Sequence, residues 1–167
     1  MSEKSPQDLA IEASVRAALE AVTDSFEILP CDSALADTAA FCAHYGVDPS
    51  QSANTIVVAS KREPKRYAAC LVLATTRLDV NHAVRSLLDN AKLSFASGEE
   101  TAALTGMTMG GVTVFALPPD LPIFIDSAVL AAPSVVIGGG SRSMKVRLSP
   151  DVLRRIPNAR VIEGLAG

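Results

Sequence analysis

The sequence predicts a single α+β or α/β domain built on a mixed sheet. Three observations carry that expectation. Its 167 residues suit one domain of about 100–200 residues. With 49% of them hydrophobic, a sizeable core is possible without disulfides or metals. Helix-type spacing also alternates along the chain with short β-branched runs, two of which flank a charged turn as a hairpin. The composition, 20% charged with Gly and Pro at 10 each, excludes a disordered chain, a collagen-like repeat and a disulfide-stapled miniprotein.

Taken in order, Ser5-Pro6-Gln7-Asp8 supplies an N-cap, a proline at the first helical position and an acid in the first turn. Leu9, Val15, Ala18, Leu19 and Val22 then keep near-helical spacing, so residues 6–22 are expected to be a helix. Phe26–Leu29 alternates like a short strand stopped by Pro30. A second helix is expected from Asp32–Ser33 to about Tyr45, with Gly46 as its C-terminal cap. Thr55–Ala59 and Tyr67–Ala74 form the two arms of an antiparallel hairpin around the turn Lys61–Arg66. Asp79 caps a helix carrying Val80, Val84, Leu87 and Leu88, and Ser97 with Glu99 and Glu100 caps another that ends at Gly106. Strands are expected at Val112–Leu117, Ile123–Ile125, Ser134–Ile137 and Met144–Leu148, then a short helix near Pro150–Arg155 and a strand at Arg160–Ile162. No repeat or low-complexity tract interrupts this order, which describes one domain over 1–167 with a helical N-terminal extension over 1–24.

The net charge of −3 argues weakly against a nucleic-acid partner, but the charges are segregated. Residues 1–48 hold nine acids and two bases (−7), residues 49–140 seven of each (0), and residues 141–167 two acids and six bases (+4). A nucleic-acid partner would require folding to keep the acidic and basic ends apart. The first residues lack the basic-then-apolar pattern of a signal peptide. The longest uncharged stretch, Thr101–Pro119, carries four Thr, three Gly and two Pro, unlike a membrane span. Cys31, Cys42 and Cys70 have no metal-finger spacing and are expected as reduced core thiols of a cytoplasmic protein.

Conventional catalytic signatures are absent: no nucleophile elbow, P-loop, zincin motif or Cys–His zinc spacing occurs. His44 and His82 are expected to be structural or exposed, with Asp79 and His82 close enough on one helix to pair. The glycines are more informative. Gly138-Gly139-Gly140-Ser141-Arg142 follows a strand directly. It is either a tight turn or a loop whose open N–H groups meet a ligand oxygen. Gly110-Gly111 makes a second such corner, and Asp126 is a lone acid in an apolar stretch that either caps a short helix or binds. Lys61, Arg62, Lys65 and Arg66 crowd one turn. Arg142, Lys145 and Arg147 stand along a strand, the last two on one face. Each set is a solvated face or a phosphate-tracking surface.

Four segments in order suggest a family. Asn54–Val58 with Ala69–Leu73 and Leu78-Asp79-Val80, Thr105-Gly106 with Gly110-Gly111-Val112-Thr113, Leu121–Asp126, and Val136–Arg142 resemble the YbaK/prolyl-tRNA synthetase-associated domain over roughly residues 25–165. The resemblance implies a single α+β domain around a strongly curved mixed sheet that needs no metal or other cofactor. It implies trans-acting hydrolysis of the ester between a wrong amino acid and the 3′ end of tRNA, typically cysteinyl- or alanyl-tRNA for proline. Partners would be tRNA and an aminoacyl-tRNA synthetase. It also implies a pocket lined by Gly110, Gly111, Gly138, Gly139 and Gly140, with Asp126 and Ser141 close by. The lysine that the family carries before the Thr-aliphatic run is Asn54 here, which can donate hydrogen bonds but brings no charge. The expected catalytic groups are therefore Asn54, Gly139 and Gly140, with Lys61, Arg62, Lys65, Arg66 and Arg142 on the tRNA. A weakly active or inactive module that binds tRNA or a small ligand is the alternative, and a hydrolase of free esters a third possibility.

Overall fold

The computed structural model describes residues 4–167. The chain opens with helix α1 (Pro6–Glu20), whose N-cap Ser5 accepts a hydrogen bond from the Asp8 N–H and whose buried stripe is Glu12, Val15 and Leu19. Strand β1 (Phe26–Pro30) and helix α2 (Thr38–Tyr45) follow, then the hairpin strands β2 (Ala53–Ser60) and β3 (Tyr67–Leu73). Next come helix α3 (Arg85–Leu87), strand β4 (Leu93–Phe95), helix α4 (Gly98–Thr105) and strand β5 (Ile123–Asp126). Helix α5 (Ser127–Leu130) and strands β6 (Val135–Gly138), β7 (Met144–Leu148) and β8 (Ala159–Ile162) complete the α+β domain.

The strands form two hydrogen-bonded sheets. One is antiparallel with order β1-β7-β6; the other is mixed with order β4-β2-β3-β5-β8. In the second, β4-β2-β3 is antiparallel and β3-β5-β8 is parallel. A single parallel bridge, Ser52 to Val136, joins the two sheets edge to edge. The alternation of side chains along each strand then sorts the core into layers. Val57, Leu71, Ile123 and Ile125 of the larger sheet meet Val135, Ile137, Val146 and Leu148 of the smaller one, with Val15 and Leu19 of α1. The opposite face of the larger sheet, through Val58, Cys70, Val72 and Phe124, packs on Leu78, Val84, Leu88 and Leu165. The opposite face of the smaller sheet, through Val136, lies beneath Phe41 and Cys42 of α2. All three cysteines are free and buried, as expected.

Three expectations need correction. The helix expected from Asp32 to Tyr45 is broken: a 3-10 turn at Ser33–Leu35 precedes α2, and Asp37 between them is extended. The carbonyls that a continuous helix would use are engaged elsewhere, Ser33 by Arg142 Nε at 3.0 Å and Ala36 by Lys145 Nζ at 2.9 Å. The strand expected at Val112–Leu117 forms no ladder. Val112 to Phe115 are buried, so their apolar β-branched composition reflects core filling, and the Gly111 carbonyl accepts from the Gly140 N–H at 2.7 Å rather than from a strand. The helix after Asp79 begins as a π-helical turn, Val80–Val84, with the Asp79 side chain accepting from the His82 N–H at 3.1 Å.

Helix α1 is tied down by a buried carboxylate. Glu12 accepts from Lys4 Nζ at 2.7 Å and from the Ser141 hydroxyl at 2.6 Å, which fastens the helix to the Gly138–Arg142 loop. Glu12→Ala leaves both donors without this acceptor and is expected to destabilise the fold by about 1–3 kcal/mol, read as a lower urea midpoint at unchanged m-value. An unchanged midpoint would mean that α1 rests on the loop without holding it.

Candidate functional site

The two sheets touch at Ser52 and Val136 and then diverge, which opens a cleft between the edges of β2 and β6. Along β2 the backbone alternates its direction. Ser52 accepts from Ala74 on the β3 side and Ser60 donates to Arg66, whereas Val57 accepts from Ala96 on the other side. The same alternation turns the N–H and C=O of Thr55 away from β3 and into the cleft. The cavity there has a volume of about 260 Å³, with walls from Asn54, Thr55 and Ile56, from Val136 to Gly138, from Thr38 and Phe41 of α2, and from Met109 and Gly110. That volume lies just below the usual range for drug-sized ligands, about 300–1,000 Å³, and suits a small acyl group.

The cleft is rich in donors. The Thr38 hydroxyl donates to Asn54 Oδ1 at 2.5 Å, so the carboxamide keeps its NH2 free for a ligand. Thr55, another wall residue, carries a buried hydroxyl with no partner. Lys145 also lines the cavity, 8% exposed, with Nζ donating to the carbonyls of Ala36 and Gly110 at 2.9 Å each and lying 5.5 Å from the centre of the Phe41 ring. Burial is the main cause that lowers its pKa from the ordinary lysine value. Sequence reasoning placed Lys145 on a basic face but missed its burial. The available signal was strand alternation: Met144, Val146 and Leu148 enter the main core, so Lys145 must enter the opposite layer, under α2.

The glycine loops meet each other rather than both facing the cleft. Gly110 and Gly138 are wall residues. A Cβ on Gly138 would stand 2.2 Å from the Val112 carbonyl oxygen, and one on Gly111 would stand 2.5 Å from the Ser141 carbonyl carbon. Gly139 is closed in by the Met144 backbone, and Gly140 by Val15 of α1. Gly111, Gly139, Gly140 and Ser141 thus lie behind the cavity wall, where they let two backbones touch. Asp126 is buried on β5, outside the cavity lining, at the N-terminus of α5. Burial raises its pKa, and hydrogen bonds from the Ala166, Leu165 and Ser127 backbone lower it less.

Most of the basic residues expected on nucleic acid lie elsewhere. Lys61, Arg62, Lys65 and Arg66 are exposed at the hairpin turn, with Arg66 ion-paired to Asp89 and Lys65 Nζ donating to the Ser60 carbonyl. Arg142 stands beside the cleft but is occupied, with Asp37 at 3.1 Å and the carbonyls of Ser33 and Met109 at 3.0 and 2.9 Å. Folding does not keep the acidic and basic ends of the chain apart, so the charge separation expected to favour a nucleic-acid face is not formed: Arg142 meets Asp37, Arg147 meets Glu27 at 3.0 Å, and Ser141 meets Glu12. His44 and His82 are both exposed, the latter 3.2 Å from Asp79. Among the described residues no three His, Cys, Asp or Glu side chains are grouped to hold a metal ion.

This architecture is that of an editing domain. The family model of the aminoacyl-tRNA editing domain matches residues 32–156, and the chain belongs to that family. Every wall of the cleft falls within the matched span. Among solved structures, the hypothetical protein APE2540 is 25% identical with a TM-score of 0.81, over 92% of this chain and 99% of that one. A protein described as a candidate trans-editing enzyme for prolyl tRNA synthetase is 23% identical with a TM-score of 0.78, over 96% and 98%, a likeness of fold.

Gly138→Ala is expected to separate the two loops and cost about 1–3 kcal/mol of stability, read as a lower melting temperature. A melting temperature equal to that of the wild type would refute the close backbone contact. For Asp126 the sign follows from its raised pKa. Above the usual carboxylate range the folded state holds this proton more tightly than the unfolded one, so stability falls as pH rises through that window and stays lower. Asp126→Asn removes this dependence, so the variant should gain on the wild type between pH 3 and pH 7 in denaturant titrations. A constant difference across that range would refute it.

Proposed function

We propose that this protein is a trans-acting aminoacyl-tRNA deacylase that removes a small mischarged amino acid without a metal ion. The observation that carries this reading is that a donor-lined cleft of about 260 Å³ lies wholly within the segment matched by the editing-domain family. The acyl group enters the cleft between β2 and β6, with the terminal ribose at its mouth. A water molecule adds to the ester carbonyl carbon, and negative charge gathers on the carbonyl oxygen. The free Asn54 amide and the Thr55 N–H are donors of the kind that stabilise such an oxygen, each worth up to about 3–4 kcal/mol when well aimed. The bond to the ribose oxygen then breaks, and that oxygen takes up the proton released by water. No general base from the protein is required, because an aminoacyl ester is already activated.

The uncharged Asn54 favours one second reading, a module that binds the tRNA end without cleaving it. Incubation with tRNA mischarged with Cys, Ala and Ser distinguishes the two. Hydrolysis above the buffer rate for at least one of them is expected, and an Asn54→Ala variant should lower that rate about tenfold or more. Binding without hydrolysis of any would establish the module instead. If Lys61, Arg62, Lys65 and Arg66 touch phosphates, tRNA affinity should fall with salt with a slope of about −0.7 to −0.9 per contact. A flat salt dependence would remove tRNA from the partners.

A further inference from the structure

Lys145 is an unusual resident for a buried strand position. An ammonium withdrawn from water is costly unless an opposite charge and hydrogen-bond acceptors compensate it. Two of its three donors are satisfied by the carbonyls of Ala36 and Gly110 at 2.9 Å. Among the described residues no carboxylate forms an ion pair with it. Asp37, the acid of the same wall, is paired with Arg142. The third donor, and a charge met only by the Phe41 ring and by an Asp37 already paired with Arg142, belong to a residue that lines the cleft. The two neutral carbonyls fix where the ammonium sits, and an electron-rich oxygen is what the site lacks.

We propose that the Lys145 ammonium binds the carbonyl oxygen of the substrate acyl group and is the charged partner of the oxyanion formed on it. This rests on the deacylase reading above and extends it by one residue. When water adds to the acyl carbon, the carbonyl π pair moves onto the oxygen held by Lys145. On collapse that pair re-forms the C=O bond and the ribose oxygen leaves with the acyl–oxygen electrons. The proton from water passes to the ribose oxygen, so free amino acid and the tRNA hydroxyl result and Lys145 keeps its proton throughout. Asn54, on the β2 wall of the same cavity, is a place from which a second cation would reach the same space.

The test measures deacylation of alanyl-, cysteinyl- and seryl-tRNA, together with calorimetric binding of a non-cleavable amide, 3′-alanylamino-3′-deoxyadenosine. Lys145→Met is expected to lower kcat about 100-fold or more, to raise KM and weaken amide binding alike by about tenfold, and to recover at least tenfold in kcat when Asn54→Lys is added. Lys145→Gln, which keeps amide donors for Ala36 and Gly110 without the charge, should behave like Lys145→Met and replaces it should that variant not fold. A loss below threefold, full activity in Lys145→Gln, or no recovery with Asn54→Lys would overturn the proposal and make Lys145 a prop for the two loops. Wild-type protein that binds the amide through Lys145 but cleaves no ester would overturn the deacylase reading and the oxyanion role with it, leaving only the contact of Lys145 with the acyl carbonyl. Wild-type protein that neither binds nor cleaves would overturn both.

Discussion

The contact on which the rest depends is that of two bare backbones. Gly138 at the end of β6 lies against the Val112 carbonyl, and Gly111 lies against Ser141, with the Gly140 N–H donating to the Gly111 carbonyl at 2.7 Å. No side chain fits between these segments, so the distance between them is set by van der Waals contact of main-chain atoms. The contact lies at the end of β6, past the Ser52–Val136 bridge at which the two sheets meet before they diverge. The cleft is the space left by that divergence. Helix α1 closes the same contact from behind, through Val15 against Gly140 and Glu12 on Ser141.

A second constraint is electrostatic and acts through carbonyls. Arg142 and Lys145 donate to Ser33, Ala36, Met109 and Gly110, four carbonyls from two segments far apart in sequence. These bonds interrupt the helix that the sequence favours after Asp32 and set the start of α2 at Thr38. Thr38 in turn holds the Asn54 amide with its donors free. The shape of the cleft and the chemistry of its wall therefore share one cause.

The distribution of charge changes meaning on folding. Segments of −7 and +4 suggest an acidic end and a basic end, and a phosphate partner for the latter. In the fold two pairs join them, Arg142 with Asp37 and Arg147 with Glu27. The smaller sheet brings β1, from the acidic segment, beside β7, from the basic one. Lys61, Arg62, Lys65 and Arg66 stay exposed at the hairpin turn, at the end of β2 away from the cleft, and Arg154, Arg155 and Arg160 of the basic segment are exposed as well.

Local chemistry settled the elements whose signals are complete within a few residues. Ser5 and Ser97 cap their helices, Gly46 and Gly106 end theirs with positive φ, and the β-branched run after Asn54 forms a hairpin with Tyr67–Leu73. The order of the glycine and aspartate segments was also enough to show the family. Where a residue's partner is distant, the sequence carried no such answer. The β-branched run Val112–Leu117 looks like a strand because burial and β structure favour the same side chains, and only the folded chain shows that no edge pairs with it. The glycines of both loops look ready for a ligand, yet Gly111 and Gly139 face protein backbone and Gly140 faces the Val15 and Ile11 side chains of α1. Lys145 looks like one member of a solvated stripe, and becomes the buried ammonium of the cleft because α2 covers its face of the sheet. Composition and spacing determine which residues are able to cap, turn or pair, whereas the approach of β6 to β2 and of α2 to β7 decides which of them share a cavity.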